Sequence, residues 1–138
     1  MLDSPALRTP IAISLGAIIG ALCRYFVGQW LTQSLALEFP IGTMLINISG
    51  CFLMGFITTL ASHRLSLNPD ELLLITTGFL GAYTTFSSYE LDAANLLETR
   101  NLLGELTYWI GSPLLGFFCF GLGVTLGKVL KSWSISED

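Results

Sequence analysis

Residues Gly78–Asp92 read GFLGAYTTFSSYELD, a stretch unlike the apolar runs on either side of it. Two glycines and a run of hydroxyl side chains interrupt an otherwise apolar segment. A lipid bilayer offers no water to satisfy a broken helix, so such a break is tolerated only where it is buried in protein or lines a polar path. Gly78 and Gly81 weaken the helix through their backbone freedom. The hydroxyls of Thr84, Thr85, Ser87 and Ser88 are suited to bond the backbone groups so released. An unwound segment also exposes carbonyl oxygens, hard ligands that suit hard cations.

The sequence around this stretch is that of a membrane protein. Of its 138 residues 52% are hydrophobic and only 12% charged, and the mean hydropathy is +0.69; soluble domains carry about 25% charged residues. The charges are segregated. Between Thr9 and Phe39 only Arg24 and the terminal Glu38 are charged, and between Pro40 and Ser62 there are none. Such stretches exceed the roughly 20 residues that cross a bilayer. The expected fold is an all-α membrane protein of four transmembrane helices, about 10–34, 40–62, 71–97 and 103–130, the third broken near Gly81–Ser87. The connections His63–Asp70 and Glu98–Leu102 are short, so residues 1–138 are expected to form a single four-helix unit. The first apolar segment is too long for a cleaved signal sequence, and the N-terminus is expected to be retained.

The formal net charge of −4 comes largely from loops and tail, and nothing supports nucleic-acid binding. Cys23, Cys51 and Cys119 are odd in number and lie inside spans without paired spacing. They read as small apolar residues, not as a disulfide or zinc site. Four spans put the N-terminus, the second-to-third connection and the C-terminus on one side, with Arg8, Arg64, Lys128 and Lys131; the other side carries Arg100, and Arg24 if it lies near that end. This bias favours termini in the cytoplasm.

A few side chains stand out against the apolar background. Gly16 and Gly20 form a GxxxG pair, which lets another backbone approach closely. Arg24, within the first span, costs at least about 2.5 kcal/mol at the bilayer centre and is a functional candidate by default; the other reading is a residue snorkelling to the interface. In the second span Thr43, Asn47 and Gly50 follow at i, i+4 and i+7, so they share one face. The Asn47 amide must meet protein or water, either as glue between helices or as a donor to a ligand. Phe86 and Tyr89 lie at i and i+3, and aromatic rings carry a positive edge able to meet an anion. Packing alone also accounts for such a pair. In the fourth span Tyr108 and Ser112 are hydroxyls at i and i+4, open to a polar track or to packing, and Pro113 removes an N–H beside them. Gly123 and Gly127 make a second GxxxG pair.

The run Gly81-Ala82-Tyr83-Thr84-Thr85-Phe86-Ser87-Ser88-Tyr89, with GTxxxNxxG on the second helix (Gly42–Gly50) and Gly20-x-x-x-Arg24-Tyr25 on the first, closely resembles the Fluc (CrcB-type) fluoride channels. That resemblance implies passive, fluoride-selective efflux across the cell (inner) membrane by an antiparallel, dual-topology homodimer, or by pairing with an oppositely oriented homologue. It implies that Asn47, Phe86 and Tyr89 line the fluoride path and that Arg24 lies at an aqueous vestibule; the hydroxyls of Thr85, Ser88, Tyr108 and Ser112 are candidates to continue that path. It also implies a structural Na⁺ at the dimer interface, held by the backbone carbonyls of Gly81 and Thr84. The family carries a second phenylalanine where this chain has Tyr89, and a glutamate where this chain has Asp92; Glu90 lies two residues earlier. The near-absence of orientation bias that dual topology requires sits uneasily with the charge count above.

No catalytic constellation is present, since His63 is the single histidine and no metal cluster or phosphate loop appears, so an enzyme is not expected. A small multidrug-type cation exporter requires a membrane-embedded carboxylate for proton exchange, and the first span carries Arg24 in place of an acid. A non-transporting assembly subunit leaves Asn47 and the TTFSS run, Thr84–Ser88, without a purpose.

Overall fold

The computed structural model describes residues 5–35, 39–61, 67–98 and 102–135. Among these the chain is helical throughout, with no strand. The elements are α1 (Pro5–Leu35), α2 (Ile41–Ala61), α3 (Pro69–Leu73), a π-helical segment (Leu74–Leu80), α4 (Gly81–Tyr83), α5 (Phe86–Glu98) and α6 (Leu102–Ile135). Three helices are long and apolar enough to cross a membrane: Ala6–Leu35, Ile41–Ala61 and Leu102–Ser132. The stretch expected at 71–97 is a succession of shorter pieces from Pro69 to Glu98, interrupted at Thr84 and Thr85. Arg64 and Arg100, on which part of the charge count rests, lie outside the described residues, as does His63.

The interruption does not fall on the glycines. Gly81 is α-helical (φ −63°, ψ −33°), and the extended residue is Thr84 (φ −77°, ψ 158°). Gly78 is instead needed for close approach. A Cβ there would lie 2.5 Å from the Ile13 carbonyl oxygen, and one at Gly16 would lie 2.9 Å from the Phe79 nitrogen. A Cβ at Gly20 would run into the Phe79 carbonyl. The first GxxxG pair is therefore the seat on which the π-helical segment rests, with the backbones in near contact. In that segment the wider turn shows at its end, where the Gly81 N–H reaches the Thr76 carbonyl five residues back.

The second GxxxG pair does the same for α2 and α6. A Cβ at Gly123 would lie 2.9 Å from the Phe56 nitrogen and one at Gly127 2.9 Å from the Thr59 Cβ, while Gly55 abuts the Phe120 carbonyl. Helices α5 and α6 close on a small core of Tyr89, Ala93, Leu96 and Tyr108, with Phe39 and Met44 packed against it.

At the start of α3 the sequence Asn-Pro-Asp-Glu forms a capping box. Asn68 Oδ1 accepts from the Glu71 N–H at 3.0 Å, Glu71 Oε2 accepts from the Asn68 N–H at 2.9 Å, and Pro69 sits where no N–H is needed. Asp70 then ties this end to α1. Arg8 Nε donates to its Oδ2 at 2.7 Å, Arg8 Nη2 completes the ion pair, and the Thr9 hydroxyl donates to Oδ1 at 2.5 Å. The Thr9 hydroxyl first, and then Arg8, hold the Asp70 carboxyl below the usual carboxylate range. A depressed folded-state value means that the tie contributes above the unfolded value near pH 4 and is lost as pH falls through the lowered one. Asp70→Asn is expected to remove this acid-side dependence of thermal stability and to lower stability modestly at neutral pH, where the tie is intact, as melting curves across pH would show.

Candidate functional site

The break is held by one side chain from another helix. Asn47, on α2, donates from Nδ2 to the Thr85 carbonyl at 2.9 Å and accepts at Oδ1 from the Thr85 N–H at 2.8 Å. The amide thus stands in for a strand partner and satisfies both backbone groups of the residue that left the helix. Gly50, one turn further along α2, leaves room for the Thr84 methyl, which a Cβ at position 50 would strike. Asn47 and Gly50 meet the break, and Thr43, on the same face, lines a hollow beside Thr85 while its hydroxyl bonds Tyr108.

The hydroxyls also act on the backbone. Thr84 Oγ1 donates to the Leu80 carbonyl at 3.0 Å. Thr85 caps α5, its Oγ1 accepting from the Ser88 N–H at 3.2 Å while it donates to Ser88 Oγ at 3.1 Å. Ser87 Oγ lies 3.3 Å from the same oxygen. Thr85 is 8% exposed.

Two hollows flank this point. One, of about 370 Å³, is bounded by Asn47, Cys51, Thr85, Phe86, Tyr89 and Ser112, with Pro113 and Gly116 on its α6 wall. No charged side chain lines it. The other, of about 690 Å³, is bounded by Arg24, Gln29, Thr43, Thr85 and Ser88 among others. Thr85 belongs to both. The structure therefore divides the expected path. Asn47, Thr85, Phe86, Tyr89 and Ser112 meet in the first hollow, whereas Ser88 lies with Arg24 in the second. Tyr108 lines neither; it is fully buried behind Tyr89.

The aromatic side chains form a row. Phe86 and Tyr89 ring centres are 5.5 Å apart, Tyr89 and Tyr108 5.3 Å, and Tyr108 meets Phe39 edge-on at 5.5 Å. Phe86 is 74% exposed on the single chain, but Tyr89 only 6%. The Tyr89 hydroxyl donates to the Trp109 carbonyl at 2.5 Å, and the Tyr108 hydroxyl to Asp92 Oδ2 at 3.3 Å. Arg24 is part-buried, and its Nη1 donates to the Thr84 carbonyl at 3.4 Å; among the described residues it pairs with neither Glu90 nor Asp92.

The break also bears on the two carbonyls implied for sodium. The Thr85 N–H, which would bond the Gly81 carbonyl in a continuous helix, is taken by Asn47, and Gly81 is exposed. The Thr84 carbonyl receives a long contact from Arg24. Both oxygens suit a hard cation, but two are fewer than such an ion requires, so one chain supplies part of a site at most.

Sequence reading missed Cys51, Gly116 and Phe117 in the first hollow, since apolar residues inside a span carry no mark of the face they present. It also missed the backbone pairing of Asn47, for which an asparagine in an apolar helix opposite a break in another was the available signal.

Comparison with known proteins agrees with this geometry. Residues 11–124 match the family described as CrcB-like protein, Camphor Resistance (CrcB). A protein of Trichormus variabilis named fluoride-specific ion channel FluC is 52% identical over 130 residues, 94% of this chain and 95% of its own length. One of the same name from a Synechococcus species is 44% identical over 128 residues, 93% and 98% of the two chains, and one from Chloroflexus aurantiacus is 41% identical over 118, 86% and 94%. The match reaches from α1 into α6 and includes every residue placed at the two hollows, so the chain belongs to the CrcB-like family.

Proposed function

We propose that this protein is a fluoride-selective channel that lets cytoplasmic fluoride leave passively across the inner membrane. The observation that carries the reading is the uncharged hollow at the helix break, where an amide, hydroxyls and aromatic rings converge. Donors and ring edges without a fixed cation bind an anion weakly enough to release it. No carboxylate stands in that hollow, and a proton-coupled cation exporter depends on one. An inside-negative potential drives efflux with about 2.3 kcal/mol per charge per 100 mV.

The working unit is an antiparallel pair of chains. Phe86 on the single chain is largely uncovered, and the hollow it borders is open on one side, so a second copy completes the wall. In such a pair the Gly81 and Thr84 carbonyls of both copies converge and offer four oxygens to one Na⁺. Replacing Na⁺ by a large organic cation during purification is expected to remove flux, and restoring Na⁺ to return it.

Efflux of F⁻ and Cl⁻ from liposomes carrying the purified protein tests the reading. Fast F⁻ release with negligible Cl⁻ release is expected. Phe86→Ile is expected to cut F⁻ release by at least about tenfold, since an aliphatic side chain has no positive edge to replace the shed water. Equal F⁻ and Cl⁻ rates, or full F⁻ flux in Phe86→Ile, would refute it.

A further inference from the structure

The geometry points to Tyr89 and Pro113 as a coupled pair, in which the Tyr89 hydroxyl supplies the hydrogen bond that Pro113 denies to the Trp109 carbonyl and thereby fixes the ring that lines the hollow. In an uninterrupted helix the carbonyl of residue 109 accepts from the N–H of residue 113. Pro113 has no N–H, and its ring crowds the carbonyl four residues back. The oxygen so released is the one to which the Tyr89 hydroxyl donates, at 2.5 Å, across from α5. In a bilayer an acceptor left unpaired has no water to turn to, so the bond is a requirement created by the proline.

The consequence falls on the candidate path. A tyrosine hydroxyl has one proton to give, and here it goes to Trp109. Tyr89 therefore offers the hollow its ring and not its hydroxyl. The ring is held at its far end by the bond and packs in tilted contact with Phe86 and Tyr108, whose ring centres lie 5.5 and 5.3 Å away. Phe86, largely exposed, has no comparable anchor. Tyr89 is on this view a positioning residue for its own ring edge, and it stands where the resemblance leads one to expect phenylalanine because this α6 carries Pro113 beside the hollow. Without the hydroxyl, the Trp109 carbonyl would be an uncompensated negative dipole close to an anion path.

This inference rests on the channel reading for its functional half, and the test separates the two. Tyr89→Phe, Pro113→Ala and the double variant are prepared in liposomes and measured in two ways. The first is the carbonyl ¹³C resonance of Trp109, which labelling Trp carbonyls with ¹³C and Ile nitrogens with ¹⁵N isolates because Trp109-Ile110 is the one Trp-Ile pair in the sequence. The second is F⁻ efflux per active channel. Tyr89→Phe is expected to shift the resonance towards an unbonded carbonyl and to lower efflux by about three- to tenfold. In the Pro113→Ala background the restored N–H takes over, so the same change is expected to leave the resonance bonded and efflux within about twofold of Pro113→Ala alone. An unshifted resonance in Tyr89→Phe, or equal losses in both backgrounds, would overturn the pairing. If wild-type protein passed no fluoride, the channel reading would fail, and the resonances alone would decide the pair.

Discussion

Asn47→Ala is expected to abolish fluoride efflux, with a loss of at least about 100-fold, and to do so in protein that is measurably less stable. The side chain holds both backbone groups of Thr85, at 2.9 and 2.8 Å, and its removal strips the carbonyl and the N–H of their partner together. Each buried group left unpaired costs about 1–3 kcal/mol, so two such losses, about 4 kcal/mol at the middle of that range, correspond to well over about 100-fold in any population that depends on the intact break. Asn47→Asp separates the contributions. Aspartate keeps an acceptor for the Thr85 N–H but cannot donate to the carbonyl, and its charge repels an anion in the hollow that Asn47 lines. It is expected to retain more thermal stability than Asn47→Ala while passing no more fluoride. Thermal melting in detergent, read beside liposome efflux of F⁻, checks both. Full flux in Asn47→Ala would show that the break keeps its shape without the amide and that Asn47 is dispensable to the path.

The second large effect concerns assembly of the fold. Gly20→Ala is expected to prevent proper packing of α1 on the π-helical segment. The added methyl would run into the Phe79 carbonyl oxygen and lie 3.1 Å from the Phe79 Cα, so backbone and not a flexible side chain has to move. Overpacking of this kind costs about 1–3 kcal/mol where side chains can yield, and here they cannot. Gly111→Ala is the matched control, because nothing lies within 4 Å of its Cβ position. It is expected to be neutral or to stabilise by up to about 1 kcal/mol through helix propensity. Yield of monodisperse protein and the melting temperature of the two variants test the contrast. A Gly20→Ala protein as stable as wild type would mean that α1 is not in backbone contact with the π-helical segment at Phe79.

Much of the architecture was legible because it depends on local composition. Long apolar runs predict α1, α2 and α6, and their bounds follow within a few residues, α1 extending ahead of Pro10 because Arg8 and Thr9 are engaged by Asp70. The GxxxG spacing announced close helix contact, and the glycines do meet backbone. The TTFSS run marked the site of the break for a similar reason: threonine and serine bond their own backbone and so announce where a helix can stop. The expectation that glycine makes the break was misplaced. Gly78 and Gly81 remain helical, since the value of glycine at 78 lies in its missing Cβ.

Hydropathy and hydroxyl content act over neighbouring residues, so local composition suffices to mark a helical membrane protein, the course of its apolar helices and the place where one of them is interrupted. The partner of each polar group depends instead on how the helices pack. Asn47 meets Thr85 across 38 residues of sequence, and Tyr89 meets Trp109 across 20. Those pairings depend on how α2 and α6 rotate and approach α5, which packing at Gly50 and the α2–α6 glycines sets. Tyr108 shows the same limit. Its spacing with Ser112 placed both on one face, but the approach of α5 buried Tyr108 behind Tyr89 and left Ser112, 4% exposed, on the wall of the hollow.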